Sequence, residues 1–594
     1  MSMNRNEIKG EFKWDLESIY KNEDELNKDF EKIKNLLEDI KKYKGILGES
    51  EDNLYQTLNL YEQISRLAEN TYVYAHMKQH EDTRDTKQQS LSGKSDMLST
   101  QIGTVTSFMI PEIISIDENK INEYLNNDKL KPYKKLIDQI LRKKPYTLSP
   151  KEEEILAMSS DIANVAENAF DMLSFADIKF PEIEDEEGDK VRLTHGNFSK
   201  FLQSKNREVR KNAFENMYNT YEKYKNTFAA TLEGSIKREI FYAKARNYDS
   251  AIQSSLFEDD IKLSVYDNLI GVIEKNLDTM HKYLKLKKQF LGLDEIHMYD
   301  MYTPLVEKLD IKIPYEEAKE IILKALKPLG DEYLKLVQKA FDERWIDVYE
   351  NEGKKGGAYS WGSYDSHPFI LLNYKDDLNS LFTLAHELGH SMHSYYSRKN
   401  QPYLYSHYKI FVAEVASTLN EQLLMDYMLK NSKSDDERLY ILNYYLEQFR
   451  TTVYRQTMFA EFEKIIHEKS ENQEALTNEE FCNIYYDLNV KYYGKDVCVD
   501  EQIGMEWARV PHFYSNFYVY KYATGFSAAA TLSHNILSGG SGALDRYLEF
   551  LKSGGSDYPL NQLKKAGVDM EDEKAIQTAL DTFKELVDEL EKSK

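Results

Sequence analysis

The chain has 594 residues, 41% hydrophobic and 30% charged, and its 101 acidic against 77 basic side chains leave a formal charge of −24. That balance speaks against a nucleic-acid partner, which needs a basic face, and offers no attraction to an anionic membrane surface. The length exceeds one ordinary domain, and no run approaches the roughly 18 apolar residues of a membrane-spanning helix.

The opening stretch, MSMNRNEIKGEFKWDLESIY, lacks the apolar core and small-residue cleavage site of a secretory signal. The two cysteines, Cys482 and Cys498, provide no disulfide framework, and the expected compartment is the reducing cytoplasm. Neither lies in a Cys-x-x-Cys pair or at zinc-finger spacing from another ligand type, so both read as ordinary thiols.

Residues 22–43, NEDELNKDFEKIKNLLEDIKKY, repeat apolar side chains at steps of three and four, the period of an amphipathic helix. At 149–170, Ser149 reads as an N-cap, Pro150 as the first helical residue and Glu152 as the partner in a capping box. With 12 prolines and 25 glycines in the whole chain, long stretches stay uninterrupted, and the expected class is mainly α. Residues 178–194, IKFPEIEDEEGDKVRLT, place an acidic Gly turn between apolar flanks and predict a hairpin. A boundary near residue 195 separates a helical N-terminal lobe (1–195, with a subdomain at about 116–190) from a catalytic region (196–594). Residues 356–374, GGAYSWGSYDSHPFILLNY, predict one or two strands.

Immediately afterwards, LFTLAHELGHSMHSYY (381–396) holds three of the chain's thirteen histidines. His386, Glu387 and His390 form His-Glu-x-x-His. On a helix the two imidazoles lie about 40° apart on one face, one turn from each other, the spacing that lets both bind one zinc ion. Glu387 falls on the shoulder of that face, where it can act as general base toward a water polarised by the metal. Leu381, Leu384, Leu388 and Met392 collect on the opposite side and supply a buried face. Catalytic zinc takes three protein ligands, and two residues compete for the third place. His393 shares the helical face but lies about 10 Å along the axis from His386. Glu414 is favoured: KIFVAEVASTLNEQLLMDYM (409–428) predicts a periodic helix able to pack antiparallel, with Glu414 and Glu421 on one face. A carboxylate on an otherwise apolar face needs a partner. Glu421 is expected to orient a ligand imidazole from behind, and His393 to lie near the site.

HELGHSMHSYYS followed by FVAEVASTLNE resembles the metal site of the thimet-type zinc oligopeptidases, specifically the oligoendopeptidase F group. WDLESIY near the start, LTHGNFSKFLQSKNREVRKNAF, GGAYSWG and RVPHFYSNFYVYKYATGFSAA extend the likeness over most of the chain. The resemblance implies a two-lobed helical metallopeptidase with a deep central channel and a small β-sheet near the zinc helix. It implies one zinc ion per chain and cleavage of internal bonds in short peptides, with folded proteins excluded. It assigns His386, His390 and Glu414 to zinc and Glu387 to catalysis. It also gives His512 and tyrosines of PHFYSNFYVYKYATG the task of stabilising the oxyanion. Tyr514, Tyr518 and Tyr522 recur there at four-residue steps with Tyr520 offset; the expected donors are Tyr518 and Tyr520. Gly356, Gly357, Ala358 and Tyr359 become an edge against which an extended substrate pairs. The alternatives are a zinc carboxypeptidase on a related helical scaffold and a non-catalytic peptide-binding module.

Overall fold

Local signals account for the first helices. In the computed structural model, which describes residues 3–306 and 311–594, Asn22 accepts from the Glu25 amide to open α1 (Glu23–Ile40). Ser50 caps α2 (Glu51–Glu81) and Asp85 caps α3 (Thr86–Thr106) in the same way, each satisfying amides that the first helical turn leaves unpaired. The three-and-four spacing of α1 buries Leu26, Phe30, Ile33, Leu37 and Ile40. They join Leu54 and Leu58 of α2 and Leu98 of α3 in one apolar cluster that also contains Phe369 and Leu371.

Seven short strands occur among the described residues: β1 (Glu182–Glu184), β2 (Lys190–Arg192), β3 (Ile296–His297), β4 (Ile346–Asp347), β5 (Tyr359–Trp361), β6 (Phe369–Leu371) and β7 (Val497–Cys498). The protein is mostly helical. The acidic Gly turn does make a hairpin: β1 pairs antiparallel with β2, Ile183 opposite Val191, with Gly188 at φ +85° in the turn. β3 pairs parallel with β7. The third sheet has the order β4-β6-β5, so β5 is one of its two edges. The segment opened by Pro150 is not one helix but three, Pro150–Met158, Ser160–Ala163 and Val165–Asp171. Ser159 and Ser160 turn their hydroxyls back to the carbonyls of Leu156 and Ala157, which competes with the regular ladder and bends it.

The chain folds into two compact units, each assembled from three separated segments. The first comprises Met1–Pro150, Ile311–Leu424 and Asn535–Ala566; the second comprises Lys151–Asp310, Met425–His534 and Gly567–Lys594. Residue 195 itself lies within the second unit. In the first unit, the metal-motif helix α4 (Leu378–Asn400) starts with Asp377 accepting from the Ser380 amide at 2.8 Å. It is followed by α5 (Ile410–Lys430). The second unit buries a charge cluster in which Glu447 accepts from Arg450 at 2.7 Å, from Lys287 at 3.1 Å and from the Tyr283 hydroxyl. No described helix is long and apolar enough to cross a membrane.

Candidate metal centre

α4 and α5 run antiparallel, because residue pairs progress in opposite directions along them. Glu421 meets His386, Asn420 meets the Ala385 carbonyl, Ser417 lies against Gly389, and Glu414 meets His390. Leu381, Leu384, Leu388 and Met392 are fully buried, so the apolar face of α4 is spent on packing and the polar face is left for chemistry. Gly389 makes the approach possible: a Cβ there would sit 2.5 Å from Ser417 Cα and 2.6 Å from the Ala416 carbonyl oxygen. Asn420, buried between the helices, donates to Ala385 and accepts from Tyr333 at 3.0 Å.

This close contact brings three donor atoms together. His386 Nε2 lies 3.2 Å from His390 Nε2 and 3.3 Å from Glu414 Oε2, and His390 Nε2 lies 3.4 Å from the same oxygen. Ligands at about 2.0–2.1 Å from a tetrahedral zinc ion are themselves about 3.3 Å apart, so His386, His390 and Glu414 fit zinc without rearrangement. His386 Nδ1 donates to Glu421, which leaves Nε2 as the ligating nitrogen. Burial disfavours a charge on His386, but hydrogen bonds to Glu414 and Glu421 outweigh it and hold the metal-free imidazole pKa well above its usual value. Burial likewise opposes ionisation of Glu414, and the same histidines reverse that and hold it far below the ordinary carboxylate range.

Glu387 is 7% exposed and its Oε2 has no hydrogen-bond partner in the protein. Burial raises its pKa, with His390 and His386 pulling the other way. A buried carboxylate oxygen without a protein partner is costly unless something in the site engages it. His393 is not part of the ligand group. It is 1% exposed, stacked on Tyr408 at 3.7 Å and packed near Phe550, and burial first, then His390, pushes it down to about 3. It therefore faces the core, not a substrate.

The glycine-rich stretch lies in the same unit. Gly356 and Gly357 are exposed, Gly357 at φ +80°, and the carbonyl of Gly357 accepts from Asn373 at 2.8 Å. Tyr359 begins β5, its hydroxyl 2.7 Å from His80 Nδ1. Ser360 joins β5 to α4 through Ser391, 2.8 Å away and next to His390 in sequence.

The aromatic stretch belongs to the second unit and forms a group of its own. His512 and Tyr518 stack at 5.8 Å, and Tyr522 meets both edge-on at 5.8 and 5.4 Å. Burial lowers the His512 pKa. Tyr520, the other expected donor, is 1% exposed and packs on Tyr266 at 5.0 Å, so its ring lies in the core. Tyr514 is also inside, stacked on Phe170 and 2.8 Å from the Thr231 hydroxyl. The turn between them is held by Glu463, which accepts from the Phe517 amide at 2.7 Å while Phe517 adopts φ +49°.

Sequence reading missed Gly389 and Asn420. A glycine inside a buried helix costs about 1 kcal/mol relative to alanine, and that unexplained cost was the available signal for a close approach.

The profile of Peptidase family M3 matches residues 200–582, and that of Oligopeptidase F matches residues 112–180. Oligopeptidase PepF of Bacillus subtilis is 50% identical, covering 99% of this chain and 88% of its own. The plasmid-encoded oligoendopeptidase F of Lactococcus lactis subsp. cremoris is 43% identical, covering 100% and 99%. The crystal structure of oligoendopeptidase-F from Enterococcus faecium superimposes with a TM-score of 0.75 at 38% identity, over 96% of this chain and 99% of that one.

Proposed function

The chain belongs to peptidase family M3 and is a metalloendopeptidase; from that premise we propose that it uses zinc to hydrolyse internal bonds of short peptides in the cytoplasm. The observation that carries the metal assignment is the 3.2–3.4 Å triangle of His386, His390 and Glu414, the separation tetrahedral zinc imposes on its ligands. When bound, zinc polarises the peptide carbonyl and acidifies a water. His386, His390 and Glu414 would hold the ion with three protein ligands, as catalytic zinc sites do.

The remaining work falls to side chains. Glu387, buried on the shoulder of α4 with one oxygen free of protein partners, takes a proton from the attacking water and returns it to the departing amine. Glu421 fixes the tautomer and orientation of His386, as a carboxylate behind a ligand imidazole does. His512 and Tyr518 donate to the carbonyl oxygen as it gains charge. The exposed glycines and the edge strand β5 offer backbone groups to an extended peptide. Its link to Ser391 supports pairing beside the metal helix. A substrate bound by strand addition must be extended, which selects flexible peptides over folded proteins.

An end-blocked peptide of about ten residues tests the reading, with products identified by mass spectrometry with and without a chelator. We expect internal cuts that stop on chelation and return with zinc. The zinc-loaded Glu387→Gln variant should keep its metal and lose nearly all turnover. Release of single residues from an unblocked C-terminus alone would point instead to a carboxypeptidase.

A further inference from the structure

Away from the site above, in the second unit, β3 and β7 are too short to be a structural sheet, yet they place chemistry side by side. Their parallel register sets His297 opposite Cys498, and residues facing each other across a ladder project to the same side. Glu295 comes from the same end, its Oε2 3.9 Å from His297 Nε2. Ligand atoms of Glu295, His297 and Cys498 all lie within 4.8 Å of one another. In the sequence Cys498 looked like an isolated thiol because its neighbours are two hundred residues away.

The histidine is oriented in the way ligand histidines are. Its Nδ1 lies 2.8 Å from Asp500 Oδ1, while Asp500 Oδ2 accepts from the Met298 amide at 2.9 Å. The imidazole is stacked on Tyr299 at 4.9 Å and 13°. With Nδ1–H given to a carboxylate, Nε2, which lies 3.9 Å from Glu295 Oε2, keeps its lone pair for an ion. Glu295, 71% exposed at its side chain, is the member free to close on an ion.

We propose that Glu295, His297 and Cys498 form a second metal site for a borderline or soft divalent transition ion such as zinc. A mixed sulfur, nitrogen and oxygen set favours such an ion over magnesium or calcium, which take oxygen ligands. The site opens to solvent, so water completes the coordination. The ion clips β3 to β7 just ahead of Glu501–Arg509 and Pro511–Tyr514, the run that carries His512. Its role is to stabilise that connection by mass action, and the assignment stands independently of the peptidase mechanism.

The test is cobalt titration, under a non-coordinating reductant, of enzyme stripped of metal and reloaded with a single equivalent of zinc, read as a thiolate-to-cobalt charge-transfer band. The His386–His390–Glu414 set contains no sulfur, so the band reports this site alone. We expect a band saturating at one equivalent, displaced by zinc, indifferent to magnesium, absent in Cys498→Ser and retained in Cys482→Ser. Asp500→Asn should weaken cobalt binding by about 10- to 100-fold, the usual cost of losing a ligand's orienting partner. Peptide hydrolysis by Cys498→Ser should be unchanged, which also shows that the variant folds. Absence of the band from the wild type, or its persistence in Cys498→Ser, would overturn the proposal.

Discussion

Gly389 and Ser417 are in backbone contact: the position of an added Cβ on Gly389 falls 2.5 Å from Ser417 Cα. The separation of α4 from α5, and with it the His–Glu triangle, is set by a missing methyl group. Gly389→Ala must push the helices apart, at an overpacking cost of about 1–3 kcal/mol. We expect weaker zinc retention and a loss of turnover larger than the change in melting temperature would suggest. Metal analysis after dialysis against a graded chelator checks it; wild-type retention would show that the helices yield without disturbing the ligands.

The proposed ligation by Glu414 and the burial of His393 make opposite forecasts for two residues close to the same motif. Glu414→Ala should lose zinc readily while keeping its fold. His393→Ala should keep zinc and lose about 2–4 kcal/mol of stability, since it removes a packed ring and leaves a cavity against Tyr408. Metal content and thermal unfolding measured on both variants separate the two roles, and the reverse order of metal loss would displace Glu414 from the site.

Among the tyrosines, the hydroxyl that matters should be one that shares space with His512. Tyr518→Phe and His512→Ala are expected to lower kcat by about 10²–10³ with KM moved much less and zinc unchanged. Tyr520→Phe should retain activity. Loss of kcat in Tyr520→Phe with Tyr518→Phe unaffected would assign the donor to Tyr520, and Tyr522 is next in line if neither responds.

Acid should loosen the second unit through Glu447. Burial opposes its charge, but Arg450 and Lys287 prevail and hold its pKa at about 2, below the unfolded value of about 4.3. Stability from that shift is complete above about pH 5 and disappears as pH falls through about 2. Glu447→Gln, which strands Lys287 and Arg450 at 0% exposure, should cost about 3–5 kcal/mol at neutral pH. The gap between variant and wild type should then shrink on acidification. Denaturant unfolding at a series of pH values measures it, and a gap independent of pH would remove Glu447 as the cause.

The metal site was legible because its key relation is local: four residues make one helical turn, so His386 and His390 could be paired on spacing alone. Glu414 and Glu421 followed from a second periodic helix, seven residues being two turns. The aromatic stretch was legible only in part. Counting in fours assumed one helix from Tyr514 to Tyr522, whereas Phe517 takes a left-handed conformation and regular helix begins at Tyr520. What holds Phe517 there is Glu463, 54 residues earlier, a relation no local period encodes. The same limit hid the neighbours of Cys498. Periodicity reports which side of an element is buried, and it is silent on what another part of the chain brings to that side.

The threefold division of each unit has a consequence for how the protein is made. The first unit gains its last segment only after residue 534 has been synthesised, and that segment supplies Phe550 beside His393 and the Lys552 carbonyl that accepts from Gln401. The second unit waits longer, for Phe583 of the terminal helix Glu573–Lys592 to fill the space between Tyr283, Phe449 and Tyr454. At about 5–20 residues per second, α1, α2 and α3 spend tens of seconds on the ribosome without their full complement of partners. A chain that stops before residue 535 lacks the last segment of both units, and one that stops before residue 567 still lacks all of the second unit's last segment. Any truncated chain therefore exposes apolar surface that its missing segment would have covered, such as the ring faces that Phe583 meets on Tyr283, Phe449 and Tyr454.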